Sequence, residues 1–202
     1  FLGAALGHQG RHREALACHR AAAMNEPRNP KVIEIYASAL SESGEFGAGL
    51  RWFSRALALN PDSLAAHQLL SSTLLAAGCL TEGWSEYRYR PSFFDYRRLY
   101  SGFPLSRALP SALDGKHICL LREQGLGDEI FFLRFVPQLA ASGARVTYRT
   151  DNKIRSLLER VACIDRVLEK SAPLPPADVV MMLGDLPHAL NGYAASALPH
   201  PA

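Results

Sequence analysis

Cysteine is scarce and scattered: Cys18, Cys79, Cys119 and Cys163 are the only four, with no C-x-x-C pair and no histidine at zinc-finger spacing. That excludes a disulfide framework and points to a reducing, cytoplasmic setting, each thiol buried in its apolar run. No apolar run approaches the length of a membrane span, and nothing at the start reads as a secretory leader. Concentrated charge of one sign is missing too. The formal net charge is +3 with 20% charged residues, far from the basic stripe of a dedicated nucleic-acid binder. The histidines offer no metal set. His8 and His12 are four apart, but Gly10 breaks the helix between them. His12 and His19 share a helix without an acidic partner in phase. They read as surface or joint residues, and no metal is expected.

What the chain does have is a period. Gly10, Gly44 and Gly78 recur at a constant step of 34 residues, as do Leu6, Leu40 and Leu74, with Ala22 matched to Ala56 and Pro27 to Pro61. Two helices per step account for it. The glycine takes the left-handed turn between them, which a Cβ would strain. Leu40 and Leu74 face inward from the first helix, and Phe53 and Tyr87 fill the gap from the second. Ala56 permits close approach of the next pair, and Asn60-Pro61 ends the helix. Phe1 falls inside an apolar helical pattern, which predicts further sequence upstream.

Over residues 1–90 this pattern resembles the tetratricopeptide repeat (TPR) family, implying an α-helical solenoid of about three hairpins with the first incomplete. The family has alanine at its closest helix contact; here stand Ala15, Gly49 and Gly83, and glycine costs about 1 kcal/mol of helix propensity. The resemblance implies a groove lined by the first helices. Its residues are Lys31, Glu34, Ser38, Ser41 and Glu42 in the second repeat, and Ala65, Gln68, Ser72, Leu75 and Ala76 in the third. A protein or peptide is the implied ligand. Family members that clamp a terminal carboxylate use basic and Asn residues, so Glu34 and Ser38 at two such places argue against that ligand class.

Residues 91–116 read as an aromatic and arginine-rich connector. From Tyr87 to Tyr100 rings and arginines interleave, as on some nucleic-acid surfaces. An interdomain joint is the simpler reading, and no nucleic acid is expected. Pro91, Pro104 and Pro110 predict irregular backbone between 92 and 115.

From residue 117 strands and helices alternate. Strands are expected at 117–121, 145–150, 166–168 and 179–182. Helices are expected at 128–141, bent or broken at Pro137 and closed by Gly143, and at 152–160. This predicts a partial α/β Rossmann-like domain over 117–202 with a parallel sheet. The Gly125-Leu126-Gly127 turn is no dinucleotide fingerprint, since Ile130 holds the third glycine position. Asp128 and Glu129 at the helix start would also repel a pyrophosphate. A methyltransferase stays open: Glu123-Gln124-Gly125-Leu126-Gly127 resembles the start of an S-adenosylmethionine site, with Asp151 as the ribose acid, although Glu129 stands where a further glycine belongs.

Gly127-Asp128, Pro137, Arg145-Val146, Asp165-Arg166-Val167 and Leu174-Pro175-Pro176 form a longer match. It resembles the N-terminal half of the heptosyltransferase-like glycosyltransferases of GT-B fold, here in the manner of bacterial TPR proteins that carry such a domain. The resemblance implies that Gly125, Gly127 and Glu129 form an acceptor loop and that Asp128 is the general base for an acceptor hydroxyl. Read from its position alone, Asp128 is a helix cap, and the two roles are compatible. The resemblance also puts the nucleotide-sugar donor in a second domain that does not fit before Ala202. No cofactor is therefore expected here, and no sugar transfer by this chain alone; the longer protein would act on a glycan or protein acceptor. A non-catalytic TPR scaffold is the remaining alternative.

Overall fold

The computed structural model describes residues 2–99, 102, 104–151 and 153–190; Phe1, Tyr100 and Ala202, named above, and the first residue of the helix expected at 152–160 lie outside them. The chain divides into two compact units, residues 1–91 and 92–202.

In the first unit six helices run as three consecutive hairpins: α1 (Leu2–His8) with α2 (His12–Asn25), α3 (Pro30–Glu42) with α4 (Phe46–Leu59), and α5 (Leu64–Ala76) with α6 (Leu80–Tyr87). Each inner turn is built the same way. Gly10, Gly44 and Gly78 have φ of +75°, +84° and +80°. The glycine N–H donates to the carbonyl of Gly7, Ser41 or Leu75, and the next residue's N–H donates to Leu6, Leu40 or Leu74. That double closure uses up helix-end carbonyls. The starts repeat as well: the Asn29 side chain accepts from the N–H groups of Lys31 and Val32, and Ser63, 34 residues on, accepts from Ala66.

Ile33, Ala37, Phe53 and Ala56 are fully buried between these helices. The glycines at the helix contacts are required there. A Cβ on Gly49 would stand 2.4 Å from Ser41 Oγ and 3.1 Å from the Ala37 carbonyl, and one on Gly83 would stand 2.7 Å from the Leu75 side chain. The third hairpin departs from expectation, because Tyr87 is only half-buried and Trp84 takes the buried place. The two rings meet edge-on at 5.5 Å.

The second unit holds a five-stranded, all-parallel sheet in the order β1-β5-β2-β3-β4. Its strands are β1 (Leu105–Ser106), β2 (His117–Leu121), β3 (Arg145–Thr150), β4 (Arg166–Glu169) and β5 (Val179–Met182). β2 and β5 are near-continuous apolar runs, as a sheet covered on both faces requires. One face carries Cys119, Leu121 and Val180 against Tyr96, Leu105, Leu174 and Ala177. Between β2 and β3 the chain forms α8 (Leu126–Leu133) and α9 (Val136–Ala141). The helix breaks where Pro137 has no N–H to give the Leu133 carbonyl. Gly143 ends α9 with φ of +82°. The next crossover helix, α10, is confined to Arg155–Leu158.

The irregular connector needs correction. Pro91 is the first residue of α7 (Pro91–Leu99), where a missing N–H is harmless and a fixed φ favours the helix. Leu105 and Ser106 then join the sheet edge beside β5. The thiols need correction too: only Cys119 is buried, while Cys18, Cys79 and Cys163 are half-exposed. Burial pushes the Cys119 thiol up to about 11, and the thiolate is the reactive form. Alkylation of the folded chain at pH 8, mapped by mass spectrometry, should therefore label Cys18 and Cys79 while Cys119 stays unmodified until denaturant is added.

Candidate functional site

The order of the sheet positions a cleft. The chain steps outward from β2 to β3 to β4, then returns to lay β5 on the other side of β2. At such a reversal the loops leaving the carboxyl ends of the central strands diverge and open a crevice. A cavity of about 300 Å³ lies there. Arg122, Glu123 and Gln124 line it from the loop after β2, Arg149 and Thr150 from the end of β3, and Met182 from the end of β5. Ser92, Asp95, Tyr96 and Leu99 of α7 and Lys170 complete its wall.

Buried carboxylates hold the loop after β2 in place. Glu129, on α8, has no exposed surface. It accepts from Arg122 Nε at 2.8 Å, from the Tyr148 hydroxyl at 2.6 Å and from the Thr150 hydroxyl. Arg122 reaches on to Asp151 at 3.0 Å. Burial first, and then the bond to Glu129, drive the Tyr148 phenol far above its usual range, so it stays a donor. Glu123 accepts from the Gly184 N–H at 2.7 Å and from the Ser92 hydroxyl at 3.1 Å. That ties the loop to the turn after β5 and to α7. Arg149 donates to the Lys170 carbonyl.

The expected acceptor loop is therefore corrected at Glu129, which is buried beneath the loop. Its charge is turned inward onto Arg122, so only Asp128 of the pair presents a carboxylate at the exposed start of α8. Asp128 sits in the first turn and accepts from the Gly125 N–H at 3.2 Å, one half of a capping box. Gly125 is the N-cap with extended backbone, and a Cβ on Gly127 would meet open space. Asp151, the ribose acid of the methyltransferase alternative, is engaged by Arg122 and by the Lys153 N–H.

A second concavity, of about 510 Å³, lies in the hairpin unit among α1, α2 and α3. Lys31, Glu34, Ser38 and Glu42 line it, whereas Ser41, Gln68 and Ser72 do not. Ser41 turns toward the helix contact, donating to the Ala37 carbonyl and accepting from Thr73 Oγ1 at 3.0 Å. Gln68 and Ser72 are exposed on α5, where the Ser72 hydroxyl donates to the Gln68 carbonyl. The Glu34 carboxylate is buried. It accepts from the Ser63 hydroxyl at 2.7 Å and from Lys31 at 3.4 Å. Glu42 accepts from Ser38.

Sequence reasoning missed the histidines: His8, His12 and His19 all line this groove. Burial lowers the His19 pKa, and Glu42 opposes that shift. Glu42, at the end of α3, acts on it through its charge alone. Among the described residues no group of His, Cys, Asp and Glu has a metal-binding arrangement, and no helix is long and apolar enough to cross a membrane.

No family model matches the chain. Protein FlbA of Caulobacter vibrioides is 35% identical over 118 residues, covering 56% of this chain. The chain spans 20% of that protein's length. Among solved structures, a mutant of the Thermobaculum terrenum O-GlcNAc transferase aligns with a TM-score of 0.42 and 16% identity, over 82% of this chain and 39% of that one.

Proposed function

We propose that the hairpin unit is a TPR-type stack that holds a protein or peptide in its groove, and that the sheet unit is the acceptor half of a GT-B glycosyltransferase. In a longer protein containing both, the acceptor hydroxyl enters the cleft at the carboxyl ends of β2, β3 and β5, and Asp128 takes its proton as the oxygen attacks the anomeric carbon and the bond from that carbon to the nucleotide breaks, the nucleotide leaving on the donor side. The observation that carries this reading is the cleft itself, followed along the chain by an exposed carboxylate: Asp128 does not line the cavity but stands in the first turn of α8, four residues beyond its lining residue Gln124. The 34-residue hairpins support the binding role. Residues 92–190 contain one parallel sheet, and a GT-B enzyme holds its nucleotide-sugar in another, so the donor is assigned to a domain outside this chain.

The test is label transfer from radioactive nucleotide-sugars to a lysate of the parent cell. The longer protein should label acceptors, this chain alone should label none, and removing residues 1–90 from the longer protein should reduce labelling. No incorporation from uridine, guanosine or cytidine nucleotide-sugars would defeat the transferase reading. Saturable S-adenosylmethionine binding that Asp151→Ala abolishes would replace it with methyl transfer.

A further inference from the structure

Gln124 is the one non-glycine among the described residues with positive φ, at +58°. A Cβ in that region crowds the backbone, and side chains other than Asn, Asp or Gly seldom occupy it. Such strain persists only where the surroundings over-determine it, and here they do. Arg122 is pinned to Glu129 and Asp151, Glu123 to Gly184 and Ser92, and Gly125 to Asp128. With both flanks fixed, Gln124 has to absorb the turn. Glycine would do so without strain, yet the position carries a long amide side chain, exposed and lining the cleft.

We infer that Gln124 is a ligand-contacting residue, kept in a strained conformation because its amide recognises a hydroxyl of the molecule bound in the cleft. An amide both donates and accepts, which matches a hydroxyl's own dual character. Asp95 adds an acceptor, Lys170 a donor and Tyr96 a flat ring to the same wall. This set suits a polyhydroxylated ring. The cavity of about 300 Å³ lies at the small end of ligand sites, so the ligand is the size of a single sugar. The inference rests on reading the cleft as the acceptor site.

Two variants separate strain from recognition. Gln124→Gly relieves the strain and removes the amide, so it should raise Tm by about 2–5 °C. Gln124→Ala keeps the strain and removes the amide together with its contacts inside the fold, so it should give no rise in Tm. Titrating D-glucose into the isotopically labelled 202-residue chain should move the amide resonances of Gly125, Thr150 and Gly184. Both variants should bind it about 3–10-fold more weakly, the worth of one neutral hydrogen bond. Equal glucose affinity in parent and variants, or no gain in Tm for Gln124→Gly, overturns the role of Gln124 and leaves the cleft as a sugar site. If glucose moves no cleft resonance, or inorganic phosphate moves them in its place, the reading of the cleft fails and this inference with it.

Discussion

Replacing Glu129 with alanine is expected to destabilise the sheet unit by about 3–5 kcal/mol, the usual loss when one partner of a buried ion pair is removed. Glu129 is wholly buried and serves three donors. Without it the Tyr148 and Thr150 hydroxyls lose their acceptor inside the fold, at about 1–3 kcal/mol for each buried group left unsatisfied. Arg122 keeps Asp151, so part of its charge remains compensated. Glu129→Gln should lose less, because its amide oxygen still accepts from the two hydroxyls while its amine faces Arg122. Both tryptophans, Trp52 and Trp84, lie in the hairpin unit, so their fluorescence reports on the wrong half. Urea unfolding followed by far-ultraviolet circular dichroism is the appropriate measurement. A loss below about 1 kcal/mol for Glu129→Ala would mean that the network holds little.

For Asp128 the expected effect is on rate. General-base assistance is worth about 10²–10⁴-fold, so Asp128→Asn in the longer protein should lower transfer by about that factor. Stability should barely change, since the Asn oxygen can still accept from the Gly125 N–H. Asp128→Ala loses that bond as well and should cost about 1 kcal/mol in addition. Transfer assays beside thermal melts of both variants distinguish the roles. Full activity in Asp128→Asn would leave the residue as a cap and withdraw the residue-level argument for catalysis. The contrast with Glu129 is instructive: adjacent carboxylates on one helical turn are predicted to have opposite uses, one in chemistry and one in architecture.

That contrast marks where the sequence was legible. The turns at Gly10, Gly44 and Gly78 could be read because a left-handed backbone is a local requirement that glycine announces by itself. The break at Pro137 was legible for the same reason. Glu129 was not, since its burial depends on Tyr148 and Thr150, some 20 residues away on β3, and no local pattern encodes that distance. Ser41 was misassigned by helix phase. It sits next to Glu42, and only the absent side chain of Gly49 shows which of the two faces the packed contact. The helix α7 was hidden by treating Pro91 as a breaker, when proline at the first helical position starts a helix as readily as it ends one. Gln124 was visible only as a member of the Glu123–Gly127 loop motif, because a strained conformation shows itself in backbone angles and not in residue type.

The bond between Glu34 and Ser63 gives the hairpin array a direction. In a linear array each unit's order is conditional on its neighbour, and this contact specifies how. Ser63 donates its hydroxyl to Glu34 on α3 and receives the Ala66 N–H of α5 on the same oxygen. The carboxylate of one repeat thereby polarises the helix start of the next, and hydrogen bonds in series strengthen one another. The second oxygen of Glu34 is held by Lys31, at the rim of the groove. The first turn of one hairpin is thus held by the carboxylate of the hairpin before it.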